Sequence, residues 1–404
     1  MTGPLSSGKL LLPKGFSFSS LAAGLKASGR SDLALAEAGS GSTAAAVFTS
    51  NRVVAAPVEV GRGSLAETRG RMRAVIVNSG NANCATGSAG LRSCNEVCRA
   101  VGRLLRVSPD EVFPSSTGII GAPLPVGKIL SKLPALIATR AASGQALSEF
   151  AQAIMTTDTR PKLASRSFRV GEREVIVSGV AKGSGMIHPQ LATMLVYVFT
   201  DIEAAPAELG RLLRGTCDQT FNCISIDGDT STNDTVLLLA SGKSGVRFHG
   251  SVVREKFSVA LLEVCQSLAE QIVSDGEGAQ HVIRLIVDQA KNRAEGLRVA
   301  KAVAHSLLVK TAWAGADPNW GRILAAIGAC GVPLDPGKVD ICIGEQLVCR
   351  YGVASPFDEK KAHHHLTQPY CEIGVRLRRG HSSLAFLTTD LTAEYIHINA
   401  DYST

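Results

Sequence analysis

Aromatic side chains are scarce in this chain, 5% of 404 residues, and charged ones make up only 19%. So few rings cannot build a stacking platform for single-stranded nucleic acid, and no run of five or six Lys/Arg offers an electrostatic substitute. The formal excess of +7 is therefore read as surface background. Uninterrupted apolar runs of about 18–20 residues are missing, so no membrane-spanning helix is expected. Cysteine is also sparse: ten residues, none in Cys-x-x-Cys. Cys94 and Cys98 stand four apart on an expected helix, with no matching His or Cys pair nearby. Reduced thiols in a cytoplasmic protein are the expectation. Residues 1–31 lack Asp and Glu but carry Ser, Lys and Arg, a composition shared with transit peptides. The apolar triplet Leu10-Leu11-Leu12 is too short for a secretory signal core. The segment is read as part of the mature fold.

What is present points to an ordered α/β protein. Apolar residues account for 45% of the chain, too many for intrinsic disorder. Forty glycines without a three-residue period exclude collagen. The length predicts two or three lobes, since single cores stop growing at roughly 250–300 residues. β-Branched segments bounded by Gly, Asn or Pro predict strands over 45–49, 54–60, 73–78 and 173–180. The nearly continuous apolar run over 193–199 predicts a central strand buried on both faces. Helical spacing predicts helices over 91–107, 128–143, 146–155, 207–214, 252–272 and 298–309. A strand is expected over 235–240, and the last hundred residues turn β-rich, with strands over 339–343, 372–379, 384–388 and 395–399. There is no tandem repeat.

Common catalytic patterns fail. Gly183-Ser184-Gly185 continues as Met186-Ile187-His188, so a dinucleotide fingerprint is not completed. Gly242-Lys243-Ser244 has Leu237 where a Walker loop requires Gly. The acidic run from Asp227 to Asp234 has Thr232 and Leu238 where a calcium loop needs Gly and Glu. His363, His364 and His365 are consecutive, so they diverge and read as a solvated turn rather than a metal site. No Gly-x-Ser-x-Gly elbow occurs.

Polar, glycine-rich blocks remain at the expected strand ends. They include Asn78-Ser79-Gly80-Asn81-Ala82-Asn83, Ser115-Ser116-Thr117-Gly118, Met155-Thr156-Thr157-Asp158-Thr159 and Lys182-Gly183-Ser184-Gly185-Met186. Further along come Asp227 through Asp234, Asp275-Gly276-Glu277-Gly278, Asp317-Pro318-Asn319-Trp320-Gly321-Arg322 and Ile398-Asn399-Ala400-Asp401-Tyr402. Hydroxyl and amide side chains beside glycine permit close backbone approach and supply donors. Each block alone is more often a turn than a site.

In this order, the blocks resemble the ornithine acetyltransferase (bifunctional glutamate N-acetyltransferase) family of arginine biosynthesis. The likeness runs from Leu12-Pro13-Lys14-Gly15-Phe16 to the C-terminus and is sharpest from Lys182 to Leu195, KGSGMIHPQLATML. It implies an αββα-type sandwich like that of the D-aminopeptidases, with a smaller C-terminal α+β lobe near 286–404. It implies self-cleavage between Ala192 and Thr193, leaving chains 1–192 (α) and 193–404 (β). Thr193 would be the nucleophile. Its freed α-amine, with a pKa of about 7.7–8.0, would be the general base. Thr117 and Gly118 match the oxyanion hole, and Thr159, Lys182, Thr193, Glu277, Asn399 and Thr404 the substrate contacts. Thr156 and Thr157 compete with Thr159 within one run. Lys182 and Glu277 suit the carboxylate and ammonium groups of an amino acid.

The implied reaction moves acetyl from N2-acetyl-L-ornithine to L-glutamate through acetyl-Thr193, without metal or cofactor. A bifunctional member also accepts acetyl-CoA; a monofunctional one does not. The implied assembly is a dimer of α/β heterodimers, with no nucleic-acid or membrane partner. The chain departs from the family pattern at Cys84-Ala85-Thr86 and at Gln280-His281, leaving the nucleophile and oxyanion hole untouched. The rival is an N-terminal-nucleophile aminopeptidase of the D-aminopeptidase type, which uses Ser where Thr193 stands. A non-enzymatic binding module is disfavoured by the joint presence of Thr193 and Thr117-Gly118.

Overall fold

Alternation along Leu33-Ala34-Leu35-Ala36 and Ala74-Val75-Ile76-Val77 sends successive side chains to opposite faces, and both segments are strands buried on both sides. The computed structural model describes residues 10–188 and 194–401. The chain divides into two units. One runs up to residue 222 and resumes over 229–272; the other comprises 223–228 and the residues from 273 on.

The first unit carries strands β1 (Phe16–Leu21), β2 (Leu33–Ala38), β3 (Thr43–Phe48), β4 (Ala74–Asn81), β5 (Val112–Ile119), β6 (Lys162–Val170), β7 (Arg173–Lys182), β8 (Leu195–Thr200) and β9 (Thr235–Ala240). Its helices are α1 (Ala56–Glu67), α2 (Gly87–Leu105), α3 (Val126–Ala138), α4 (Gly144–Ala153), α5 (Pro206–Gln219) and α6 (Ser251–Val273). The strands form two sheets, ordered β1-β2-β4-β5 and β3-β9-β8-β7-β6. Their inner faces share one core: Phe18, Val75, Val77 and Phe113 from the first meet Val180, Tyr197, Phe199 and Leu237 from the second. The few aromatics concentrate here. Phe18, Phe150, Tyr197 and Phe199 pack edge to face with centroids between 5.0 and 6.2 Å apart.

The outer face of the first sheet sends Leu33, Leu35 and Ile76 against Val97 and Val101 of α2 and Ile129 and Leu133 of α3. On the outer face of the second, α6 lies so near β7 that a Cβ at Gly179 would sit 2.7 Å from Leu268 Cδ1. The layers are helix, sheet, sheet, helix, the expected αββα sandwich. Strand β8 runs parallel to β9 and antiparallel to β7, wholly buried, as its unbroken apolar sequence predicts.

The second unit has one sheet, ordered β13-β12-β11-β14-β10-β15, from β10 (Val282–Ala290), β11 (Asp340–Ile343), β12 (Gln346–Arg350), β13 (Val353–Ala354), β14 (Tyr370–Arg376) and β15 (Ser382–Thr389). Helices α7 (Arg293–Ala304), α8 (Leu307–Ala314), α9 (Trp320–Gly328), α10 (Glu359–Leu366) and α11 (Ala393–Asp401) accompany it. Leu285, Val287 and Phe386 of the sheet pack with Val299, Val303, Trp313 and Ile323.

Four expectations need correction. The strand expected over 54–60 is the start of α1, because Pro57 sits in its first turn, where a fixed φ and a missing N–H suit a helix. The helix expected over 298–309 is two, since Ser306 accepts from Val309 N and caps a new one. The strand expected over 395–399 lies inside α11. The His363–His365 run is helical rather than a turn, with His363 Nδ1 2.9 Å from Ala316 O. Strands β1, β2, β5, β6, β10, β12 and β13 lie outside the strands expected from sequence; β6 pairs only with β7 at the sheet edge, where its polar residues are tolerated. The ten cysteines are free thiols. No described helix is long and apolar enough to cross a membrane.

Phe150 is fully buried amid this aromatic cluster. Phe150→Ala is expected to cost about 3–5 kcal/mol in urea unfolding. The half-exposed Leu104→Ala should stay within about 0.5 kcal/mol of wild type. Equal effects would contradict the assigned core.

Candidate active site

Strand β5 is apolar where it crosses the core and polar where it leaves it, ending in Ser115-Ser116-Thr117-Gly118. It pairs in parallel with β4, setting Thr117 beside Ser79 and Gly118 beside Gly80, and the register breaks between Gly80 and Asn81. Such irregularities take backbone groups out of the ladder. Gly118 has φ +134, and a Cβ there would lie 2.5 Å from Asn81 N and closer still to Gly80 C. Only glycine fits. Ser116 Oγ donates to Asn78 Oδ1 at 2.6 Å, joining two of the polar blocks.

Lys182 closes β7 in the facing sheet. Its side chain is buried, and Nζ donates to Thr117 Oγ1 at 3.3 Å. Asp158, in the turn after α4, is the anionic centre nearby. Its Oδ1 accepts from Lys162 Nζ and from Gly183 N, each at 2.6 Å, and Oδ2 accepts from Thr156 N at 3.0 Å. Burial alone would raise its pKa, but the charges of Lys182 and Lys162 prevail and hold it at about 2. Lys26 donates to Ala153 O at 3.2 Å, and burial lowers its pKa to about 8. Two buried ammonium groups thus face one ionised carboxylate, a local field suited to an anion.

Of the competing threonines, Thr157 Oγ1 meets Ser184 Oγ at 2.8 Å, whereas Thr159 is exposed. Ala192, Thr193 and Thr404 lie outside the described residues. Met194, the residue bonded to Thr193, is described and anchored at both ends. Its N–H donates to Asp234 Oδ1 at 2.9 Å, and its carbonyl accepts from Thr235 N at 3.1 Å. Burial pushes the Asp234 carboxyl well above the usual carboxylate range.

In the second unit, Asn399 on α11 donates from Nδ2 to Glu277 Oε2 at 2.9 Å, bringing two predicted contacts together. The loop bearing Glu277 is held by Thr392 Oγ1, which donates to Gly278 O at 2.6 Å, and by Asp390, whose Oδ1 accepts from Gln280 N and His281 N. Lys310 is buried nearby in this unit, donates to Thr388 Oγ1 and Thr389 O, and has its pKa lowered to about 8 by burial.

The structure brings Lys182 to Thr117, which adjoins Gly118, three residues that the sequence reading named in separate roles; that reading singled out neither Asp158 nor Lys162, Asn233 or Asp234. The available signal was charge within otherwise neutral polar blocks, since a lone Asp at a strand end costs too much to bury without a partner.

Comparison with known proteins supplies the lineage. A model of the ArgJ family matches residues 17–404. The chain is 44% identical over 404 residues to the arginine biosynthesis bifunctional protein ArgJ of Methylococcus capsulatus, covering 99% of this chain and 98% of that one. It is 42% identical over 394 residues to the protein of the same name from Geobacter sulfurreducens, covering 97% and 99%. The crystal structure of the arginine biosynthesis bifunctional protein ArgJ from Bacillus halodurans matches at 38% identity and TM-score 0.49, over 51% of this chain and 98% of that one.

Asp158 gives a pH test. Its carboxyl stays ionised in the fold down to about 2, whereas an unfolded Asp takes up its proton near ~3.9. Between these values the unfolded chain binds a proton that the fold refuses, so this stabilisation is full above about 4 and is lost as pH falls towards 2. Asp158→Asn, leaving two buried lysines uncompensated, is expected to cost about 3–5 kcal/mol at pH 7. In urea unfolding the gap to wild type should close across that window. A gap independent of pH would contradict the assignment.

Proposed function

The chain belongs to the ArgJ family, and on that footing we propose that it is a glutamate N-acetyltransferase working through an acetyl-Thr193 ester. Acetyl passes from N2-acetyl-L-ornithine to L-glutamate, with acetyl-CoA as a second donor. What supports this is the convergence of Lys182 and Thr117 at 3.3 Å beside the anchored Met194, all from polar blocks far apart in sequence.

Maturation comes first. Thr193 Oγ attacks the carbonyl carbon of Ala192, the C–N bond breaks, and the hydroxyl proton ends on the departing nitrogen. Water then hydrolyses the ester, leaving the Ala192 carboxylate and a Thr193 with a free α-amine. In turnover that amine takes the hydroxyl proton as Oγ attacks the acetyl carbonyl. The proton passes to the ornithine nitrogen as its bond to carbon breaks. The amine of glutamate attacks the acetyl ester, releases N-acetylglutamate and returns a proton to Oγ. Each tetrahedral oxygen carries negative charge, which Thr117, Gly118 and the nearby Lys182 ammonium stabilise. Lys182 meets a substrate carboxylate. The mature assembly is a dimer of α/β heterodimers in the cytoplasm.

Denaturing electrophoresis should show pieces 1–192 and 193–404. Thr193→Ala should stay whole and transfer no acetyl, and Thr117→Ala should lower kcat by about 10²–10³. Acetylation of glutamate is to be followed with acetylornithine or acetyl-CoA as sole donor. An intact wild-type chain without transferase activity would sink the proposal. Release of amino acids from peptide amides without glutamate would favour the aminopeptidase instead.

A further inference from the structure

Strands β5 and β8 belong to different sheets, so no ladder hydrogen bond sets the distance between Thr117 and Met194. The core between the sheets is apolar, and apolar packing is not directional. Acyl transfer nonetheless tolerates little error, because catalytic groups must be held to within about 0.5 Å. The link is supplied by two adjacent side chains just before β9. Asn233 Nδ2 donates to Ser116 O at 2.9 Å, immediately before Thr117, and to Ala82 O at 2.7 Å, immediately after β4. Asp234 Oδ1 accepts from Met194 N at 2.9 Å, immediately after Thr193. Their own positions are fixed in turn: Asn233 Oδ1 accepts from Thr232 Oγ1 at 2.6 Å, and Asp234 O accepts from Thr49 N at 3.1 Å. Asn233, Asp234, Ser116 and Met194 are all buried.

The geometry points to Asn233-Asp234 as a positioning bracket that sets Thr193 against the oxyanion strand, one side chain gripping each partner; this rests on the reading of Thr193 as nucleophile. Both residues act through described neighbours, Asn233 on Ser116 and Asp234 on Met194. Asp234 acts through one oxygen as an acceptor for the Met194 N–H, a role that an amide oxygen of closely similar size also fills. Asn233 must donate two hydrogen bonds at once, which neither Ala nor Asp can do.

The test uses the full-length precursor. Asp234→Ala should slow self-cleavage by at least about tenfold, since small misplacements are costly, while Asp234→Asn should cleave within about threefold of wild type. Asn233→Ala should lower kcat by about a hundredfold with the KM for glutamate within about threefold. Leu213→Ala, in the buried face of α5 and away from the bracket, reports what mere destabilisation does. It should lower the thermal midpoint at least as far and yet cleave normally. Asp234→Ala cleaving at the wild-type rate would overturn the bracket. So would Asp234→Asn as slow as Asp234→Ala, or Leu213→Ala reproducing the losses. Thr193→Ala is run in parallel. If it is cut at the same bond, the Thr193 reading itself fails; if it stays whole while Asp234→Ala cleaves normally, only the bracket fails.

Discussion

One buried carboxylate organises the first unit. Asp158 sits in a turn with no exposure to speak of, yet it stays ionised because Lys162 and Lys182 lie beside it and two backbone N–H groups point at it. Burying a charge is tolerable only when every lone pair is answered. Asp158 therefore ties together the end of α4, the start of β6 and the end of β7. Lys182, held in that arrangement, reaches Thr117 across to the other sheet.

The scarcity of aromatics takes on a structural meaning in this light. Four of the rings fill the space between the sheets, where their size lets few residues close a wide core. Polar residues are left for the strand ends, and there hydrogen bonds replace packing as the source of precision. The division of labour is plain in β5, apolar at Val112-Phe113 and polar from Ser115 onward. A similar economy operates in the second unit, where Asp390, Thr392 and Asn399 hold one short loop around Glu277.

Much of the fold was legible from sequence because burial leaves a periodic mark. The central β8 and the long α6 follow from apolar spacing, whereas the αββα layering was implied by the family resemblance. Errors fell where local rules compete. Residues 54–60, with Val54, Val58 and Val60, are β-branched enough to suggest a strand, but Pro57 in a first turn favours the helix that forms. Residues 395–399 alternate like a strand and are helical because nothing in their own pattern reports which element they pack beside.

The chain's order of polar blocks, by itself, determined the lineage and singled out Thr117, Gly118 and Lys182 as candidate site residues. Covalent order carries that information because strand ends must present these groups wherever the strands are placed. Tertiary structure alone decided how they are held: Asp158 between two lysines, Asn233 on Ser116, Asp234 on Met194. These contacts join residues on different strands and, for Asn233 and Ser116, reach toward the opposite sheet. Their energies depend on burial and distance, and neither quantity is written in any local stretch of sequence.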